Sequence, residues 1–336
     1  MKRIPTYILI ISLLLSACRK EEEQPASNVV INELMVRSEQ MTTTKAYTQG
    51  EITEFETGDL IHVFGFFKAA TSDPATRFMP PIADVVPGVA YTYERDVLGW
   101  HRFLNVSDAG AWRSGFYHDF TAYFLVDKPA TNEVTYTMTA TGLPPKELLW
   151  GETKDVYFSG DAQVIPRITF KHQLSRIRIT RIHDLELNPG EVFNVINYSF
   201  KLDGKTAVFN VETGTWSGIS AEDVLLSFGL NEQLHDGNRL EDEFVTEFWV
   251  LPDRTITDFE MQIEQEIPPA PLQLKTIPVT FKGHTNPTAD IETKAGYVST
   301  LRVEIGNLKP IVFTVSLEPW TVEKKTGEIK DPDPQP

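Results

Sequence analysis

The sequence predicts an all-β chain built as two tandem β-sandwich domains, and three observations predict it. Apolar and polar residues alternate with period two through most of the chain, while helical periodicity is scarce. The 22 Pro and 20 Gly are spread along the 336 residues, as many short strands joined by turns require. An aromatic-rich stretch stopped by proline occurs in each half, Phe120 to Pro129 and Phe244 to Pro252, with Trp112 and Trp216 ahead of them. At about 150 residues per domain the length fits two domains, which are expected at 29–165 and 166–325.

The first eighteen residues carry an address. Lys2 and Arg3 precede a short apolar core, Tyr7 to Leu15. That core is about half the roughly 20 residues of a spanning helix, so residues 1–17 are expected to be a signal peptide. Leu15-Ser16-Ala17-Cys18 fits a lipoprotein cleavage site, with cleavage after Ala17 and lipid on Cys18, the chain's single cysteine. Several acyl chains, at about 0.8 kcal/mol per buried CH₂, would hold the protein stably on a bilayer surface. Residues 18–28 begin Cys-Arg-Lys-Glu-Glu-Glu and are expected to be a flexible tether, with a basic-then-acidic order suited to surface export.

The strands follow in order. Val29 to Val36 opens the first domain, and Asp59 to Phe67 follows a Gly58-Asp59 turn. Tyr91 to Tyr93 and Trp100 to Phe103 are expected as hairpin arms around Leu98-Gly99. Phe120 to Val126, Glu133 to Thr139 and a short Asp155 to Phe158 complete that half. Ile168 to Ile182 alternates with one phase shift, which predicts a single strand with a bulge at Gln173 to Ser175. Phe193 to Leu202, Thr206 to Val211, Phe244 to Leu251, Phe259 to Ile263, Ile277 to Phe281, Val298 to Ile305 and Ile311 to Leu317 fill the second half. Ser220 to Leu234 fits either a capped helix or a strand. Residues 326–336, with three prolines in the last five, are expected to be a disordered tail.

Charge and motif searches narrow the function. Thirty-one Lys and Arg against 47 Asp and Glu give −16, which disfavours a nucleic-acid partner. None of the seven histidines forms a close metal-ligand pair, and no catalytic or nucleotide-binding motif occurs, so no enzyme, metal or cofactor is expected. His172 shares a strand face with Phe170 and is expected to be a packed core histidine. Trp112 and Trp150 lie in turn-rich stretches, where they either cover sandwich edges or stack on a glycan.

Five features follow one another along the chain: the cleavage site at Cys18, the Thr-rich Met41 to Ala46, Phe55-x-x-Gly58-Asp59-x-Ile61-x-Val63, Phe120-x-Ala122-Tyr123-Phe124, and Phe170-x-His172-x-Leu174-Ser175-x-Ile177. In this shared order they resemble the fimbrillin (Mfa-like) family of type V pilus proteins. The resemblance implies two transthyretin-like sandwiches and assembly by strand exchange. A trypsin-like protease would cut after Lys45, or after Arg37, in what is expected to be an exposed loop. The removable strand would carry Val29, Ile31, Leu34 and Val36 into the core, with a bend near Asn32-Glu33. Partners would be other pilus subunits and a glycan or protein receptor. The charged, proline-rich C-terminal stretch is a poor donor strand, which points to a tip or accessory subunit at the cell surface. The alternative is a monomeric surface lipoprotein that binds carbohydrate.

Overall fold

The computed structural model describes residues 31, 33–36, 55, 57–80, 88–95, 101–106, 110–160, 164–187, 189–235, 237–266, 271–278, 280–281, 291–306 and 312–319. Among these residues there are strands and turns but no helix. The first are β1 (Glu33–Val36), β2 (Leu60–Lys68), β3 (Thr76–Met79), β4 (Val89–Arg95), β5 (His101–Asn105), β6 (Phe116–Leu125), β7 (Glu133–Thr137), β8 (Leu148–Phe158) and β9 (Arg167–His172). Then come β10 (Ser175–Leu185), β11 (Val192–Leu202), β12 (Thr206–Asn210), β13 (Thr215–Ser217), β14 (Val224–Leu234), β15 (Gly237–Val250) and β16 (Thr255–Glu266). The last are β17 (Gln273–Pro278), β18 (Thr280–Phe281), β19 (Ile291–Glu292), β20 (Tyr297–Gly306) and β21 (Val312–Pro319).

The first sheet closes on itself. Its order is β3-β2-β4-β5-β1-β9-β8-β6, and β6 pairs back onto β2. Strand β2 achieves this because β6 lies along one of its edges, while the other edge is shared by β4 at Leu60 to Val63 and β3 at Gly65 to Phe67. Alternation then sorts the side chains. Ile61, Val63, Phe120, Ala122 and Phe124 enter a core inside the ring. Phe64 and Tyr123 take the outer face, stack with ring centres 6.3 Å apart, and join the second core.

The second core lies between two five-stranded sheets, β15-β10-β20-β21-β18 and β14-β11-β16-β17, the latter with β19 on β16. Phe200 of β11 meets Phe248 of β15 edge-on at 5.4 Å, which ties the two layers together. A fourth sheet, β13-β12-β7, carries a strand from the first half onto the second. Met138, Leu143 and Leu148 accordingly pack into the second core.

The all-β expectation holds, and several particulars differ. Ile168 to Ile182 is not one bulged strand: β9 pairs β8 and β1, whereas β10 pairs β15 and β20. The phase shift is a change of sheet. Gln173 donates to the Leu148 carbonyl at 2.9 Å, Leu174 accepts from Gly296, and the Leu174 side chain is buried in the second core. The chain therefore leaves the first sheet after His172. Ser220 to Leu234 resolves as strand β14. The short strand at Asp155 to Phe158 extends back to Leu148, because Leu148 and Leu149 are buried and Glu152 opposes Thr169. The two aromatic stretches are not equivalent in place: β6 is flanked on both edges, while β15 ends its sheet.

Candidate functional site

Strand β1 occupies a place unlike any other in the first sheet. It runs antiparallel to β5, with Leu34 opposite Phe103, and parallel to β9, with Val36 opposite Ile168. Among the described residues it is the segment that joins β5 to β9, and without it the ring would be an open sheet with edges at β5 and β9. Ile31 and Leu34 are each 1 % exposed and belong to the ring's core. Each contributes about 1.5–3 kcal/mol by burial. Strand β1 begins at Glu33, and Ile31 ahead of it is already buried; Asn32, where the bend is expected, lies outside the described residues.

Ile31 is held by its backbone as well as its side chain. Its N–H donates to the Gly110 carbonyl at 3.1 Å. Its carbonyl accepts from the Tyr91 hydroxyl at 2.8 Å and from the Asn105 amide at 3.1 Å. Burial pushes the Tyr91 phenol well above its ordinary pKa, against the opposing pull of the Asn105 hydrogen bond, so it remains a donor at physiological pH. Gly110 adopts φ +88°, and a Cβ there would stand 2.3 Å from Met79 Sδ. Only glycine lets the backbone come this close.

Beside this slot the sequence motifs converge. The Phe55 ring lies 4.9 Å from Phe103, 5.4 Å from Phe124 and 5.7 Å from Phe170. One phenylalanine from each of three motifs therefore meets in a single edge-to-face cluster with a β5 residue. The motif residues Leu174, Ser175 and Ile177 act beyond the sheet change, where the Ser175 hydroxyl donates to the Tyr297 carbonyl at 3.2 Å.

The polar side chains elsewhere are engaged in structure. Lys68 lies 2.8 Å from Asp119 and 2.7 Å from Asp155, and these carboxylates raise its pKa. His172 Nδ1 lies 2.8 Å from the carboxylate of the buried Glu147, so it is a partly buried hydrogen-bond partner rather than a packed core histidine. Arg181 bridges Glu232 and Glu243 at 2.9 and 2.8 Å. No group of three His, Cys, Asp or Glu able to hold a metal occurs among the described residues.

Trp112 and Trp150 do not form a glycan platform. Trp112 is buried and stacks on Phe158 at 4.9 Å. Trp150 donates to the Val211 carbonyl at 3.1 Å and lies against Gly214, so its face is covered by the turn after β12.

The structure brings Ile31 and Leu34 together in the slot and places Val36 by its backbone pairing. Ala17, Cys18, Val29, Arg37 and Lys45 lie outside the described residues. Met79, Tyr91, Asn105 and Gly110 were not identified by the sequence, and no local pattern marks them.

Residues 44–320 match the family model described as fimbrillin-like. No curated protein matches the chain. Among solved structures, a candidate cell adhesion protein from Bacteroides eggerthii shares 12 % identity over 87 % of this chain and 96 % of its own, with a TM-score of 0.50. A fimbrial protein from Bacteroides vulgatus shares 13 % over 87 % and 99 %, with a TM-score of 0.46. A candidate cell adhesion protein from Bacteroides uniformis shares 18 % over 86 % and 99 %, with a TM-score of 0.45. These likenesses concern the fold alone. The family match spans most of the sequence, so the chain belongs to the fimbrillin-like family, whose members are structural subunits of fimbriae rather than enzymes.

Proposed function

We propose that this fimbrial subunit, of the type V pilus class, assembles by strand exchange, with β1 as a temporary plug. The observation that carries the proposal is the position of β1 between β5 and β9. Removing it would leave two rows of unpaired backbone groups beside an emptied apolar slot, which drives pairing with a strand from another chain. The family match begins at residue 44, so β1 lies outside the matched region although it completes that region's sheet.

In this scheme the precursor is exported as a lipoprotein held on the outer membrane through Cys18, after cleavage at Ala17. A trypsin-like protease cuts after Lys45, with Arg37 as the alternative, and releases Val29, Ile31, Leu34 and Val36. A strand from another pilus subunit then enters the slot. The composition of residues 323–336, charged and proline-rich, supports a tip or accessory role in adhesion. The division into units at 29–165 and 166–325 belongs to the same proposal. The carbohydrate-binding alternative loses its motivating residues, since Trp112 and Trp150 are covered.

Limited trypsin treatment of the folded full-length protein tests the scheme. The first cut is expected after Lys45. Resistance at that bond under conditions that nick other loops would remove the processing step.

A further inference from the structure

We propose that the socket formed by Met79, Tyr91, Asn105 and Gly110 sets the register of whichever strand fills the slot. This inference rests on the strand-exchange reading and specifies the partner of the same site. The socket demands an apolar, non-proline residue three positions before the residue that faces Phe103.

A ladder alone specifies register weakly. Sliding a strand by two residues keeps the same side chains facing inward and re-forms the same kind of backbone bonds. Strand β1 has four residues, and its recorded pairings to β5 and β9 cover three and two positions. The Ile31 socket breaks that degeneracy, because Ile31 lies ahead of the ladder and its N–H and C=O are both taken by groups that cannot slide. Gly110 accepts the N–H at 3.1 Å, while Tyr91 and Asn105 both donate to the carbonyl, at 2.8 and 3.1 Å. Tyr91 is fully buried, with its hydroxyl 3.8 Å from Met79 Sδ and 3.4 Å from the Asn105 amide. A strand shifted by two residues would have to present another residue's backbone and side chain in this closed space. Proline at the Ile31 place would lose the bond to Gly110. The incoming strand therefore carries an apolar pair spaced i, i+3, as Ile31 and Leu34 are, rather than i, i+2.

The test uses the full-length protein with a site-specific protease sequence inserted after Lys45, so that opening the slot does not depend on natural processing. After cleavage and removal of the freed segment, a fluorescent peptide of residues 28–37 is titrated by anisotropy. A peptide with an ester between Ile31 and Asn32, a poorer acceptor at the Ile31 carbonyl, is expected to bind about five- to tenfold more weakly. That penalty is expected to shrink in Tyr91→Phe and in Asn105→Ser proteins and to vanish when both are changed, and an Ile31→Pro peptide is expected to lose binding. Equal affinity of ester and amide peptides for the unmodified protein, which needs no variant to fold, overturns the socket. So does equal binding of a peptide whose apolar pair is spaced i, i+2. A slot that accepts no peptide at all overturns the strand-exchange reading itself and this inference with it.

Discussion

Truncating Leu34 to alanine removes three side-chain carbons from a site 1 % exposed between β5 and β9. At about 0.8 kcal/mol per buried CH₂ the loss is about 2.4 kcal/mol, and a residual cavity places the total at about 2–5 kcal/mol. The consequence depends on whether β1 opens by itself or only with the whole ring. Ile31 and the β1 residue Leu34 together supply about 3–6 kcal/mol of side-chain burial to resist detachment of this segment. Leu34→Ala then raises the detached fraction by about 50-fold while the rest stays folded. Hydrogen exchange followed by mass spectrometry reads this directly. Amides of β5 and β9 are expected to exchange faster in the variant, and those of β11 and β16 to stay unchanged. Unchanged protection in β5 and β9, together with a full-sized drop in the global denaturation midpoint, would show that β1 leaves only when the ring unfolds.

Three further outcomes follow from the packing and the charges. Gly151→Ala places a Cβ 2.5 Å from the Thr169 carbonyl oxygen and 2.8 Å from Ile168 Cγ2, so β8 and β9 must separate. The expected cost is about 1–3 kcal/mol, read as a lower urea midpoint, and an unchanged midpoint would contradict it. Arg181→Met removes the guanidinium that pairs with the partly buried Glu243 and should cost about 3–5 kcal/mol. Glu232→Gln should cost under about 1 kcal/mol, because Glu232 is 41 % exposed; comparable losses in urea melts would refute this asymmetry. Burial lowers the pKa of His62 and of His118 to about 4, with Lys128 assisting at His62. Each contributes stability that is complete above the unfolded value of about 6.5, because only the unfolded chain binds its proton below that. Stability should fall from about pH 6.5 towards about pH 4, by up to about 1.4 kcal/mol per pH unit for each histidine. A His62→Leu/His118→Phe variant should flatten that slope in urea titrations, and an undiminished slope would assign it elsewhere.

The strands were legible because a half-buried strand writes period two into the sequence whatever its partners are. The same locality explains what was misread. The phase shift at Gln173 to Ser175 has one signature for a bulge and for a change of sheet, and the different partners of β9 and β10, with Leu174 buried in the second core, separate them. Strands β3, β13 and β19 have two to four residues, too few to show a period. Of the slot, the plugging residues Ile31 and Leu34 were legible as apolar positions in one segment. The groups that grip Ile31 were not, since Tyr91, Asn105 and Gly110 lie 60 or more residues away and converge only in the closed sheet. Trp150 misleads for the same reason, because the turn that covers it comes from after β12.

The N-terminal sequence and intact mass of the subunit taken from cell-surface filaments bear most directly on the removal of β1. A chain starting at Ala46, or at Ser38 if the cut follows Arg37, is the predicted result. A chain still beginning at lipidated Cys18, with residues 29–36 attached and present in the filament, would contradict it.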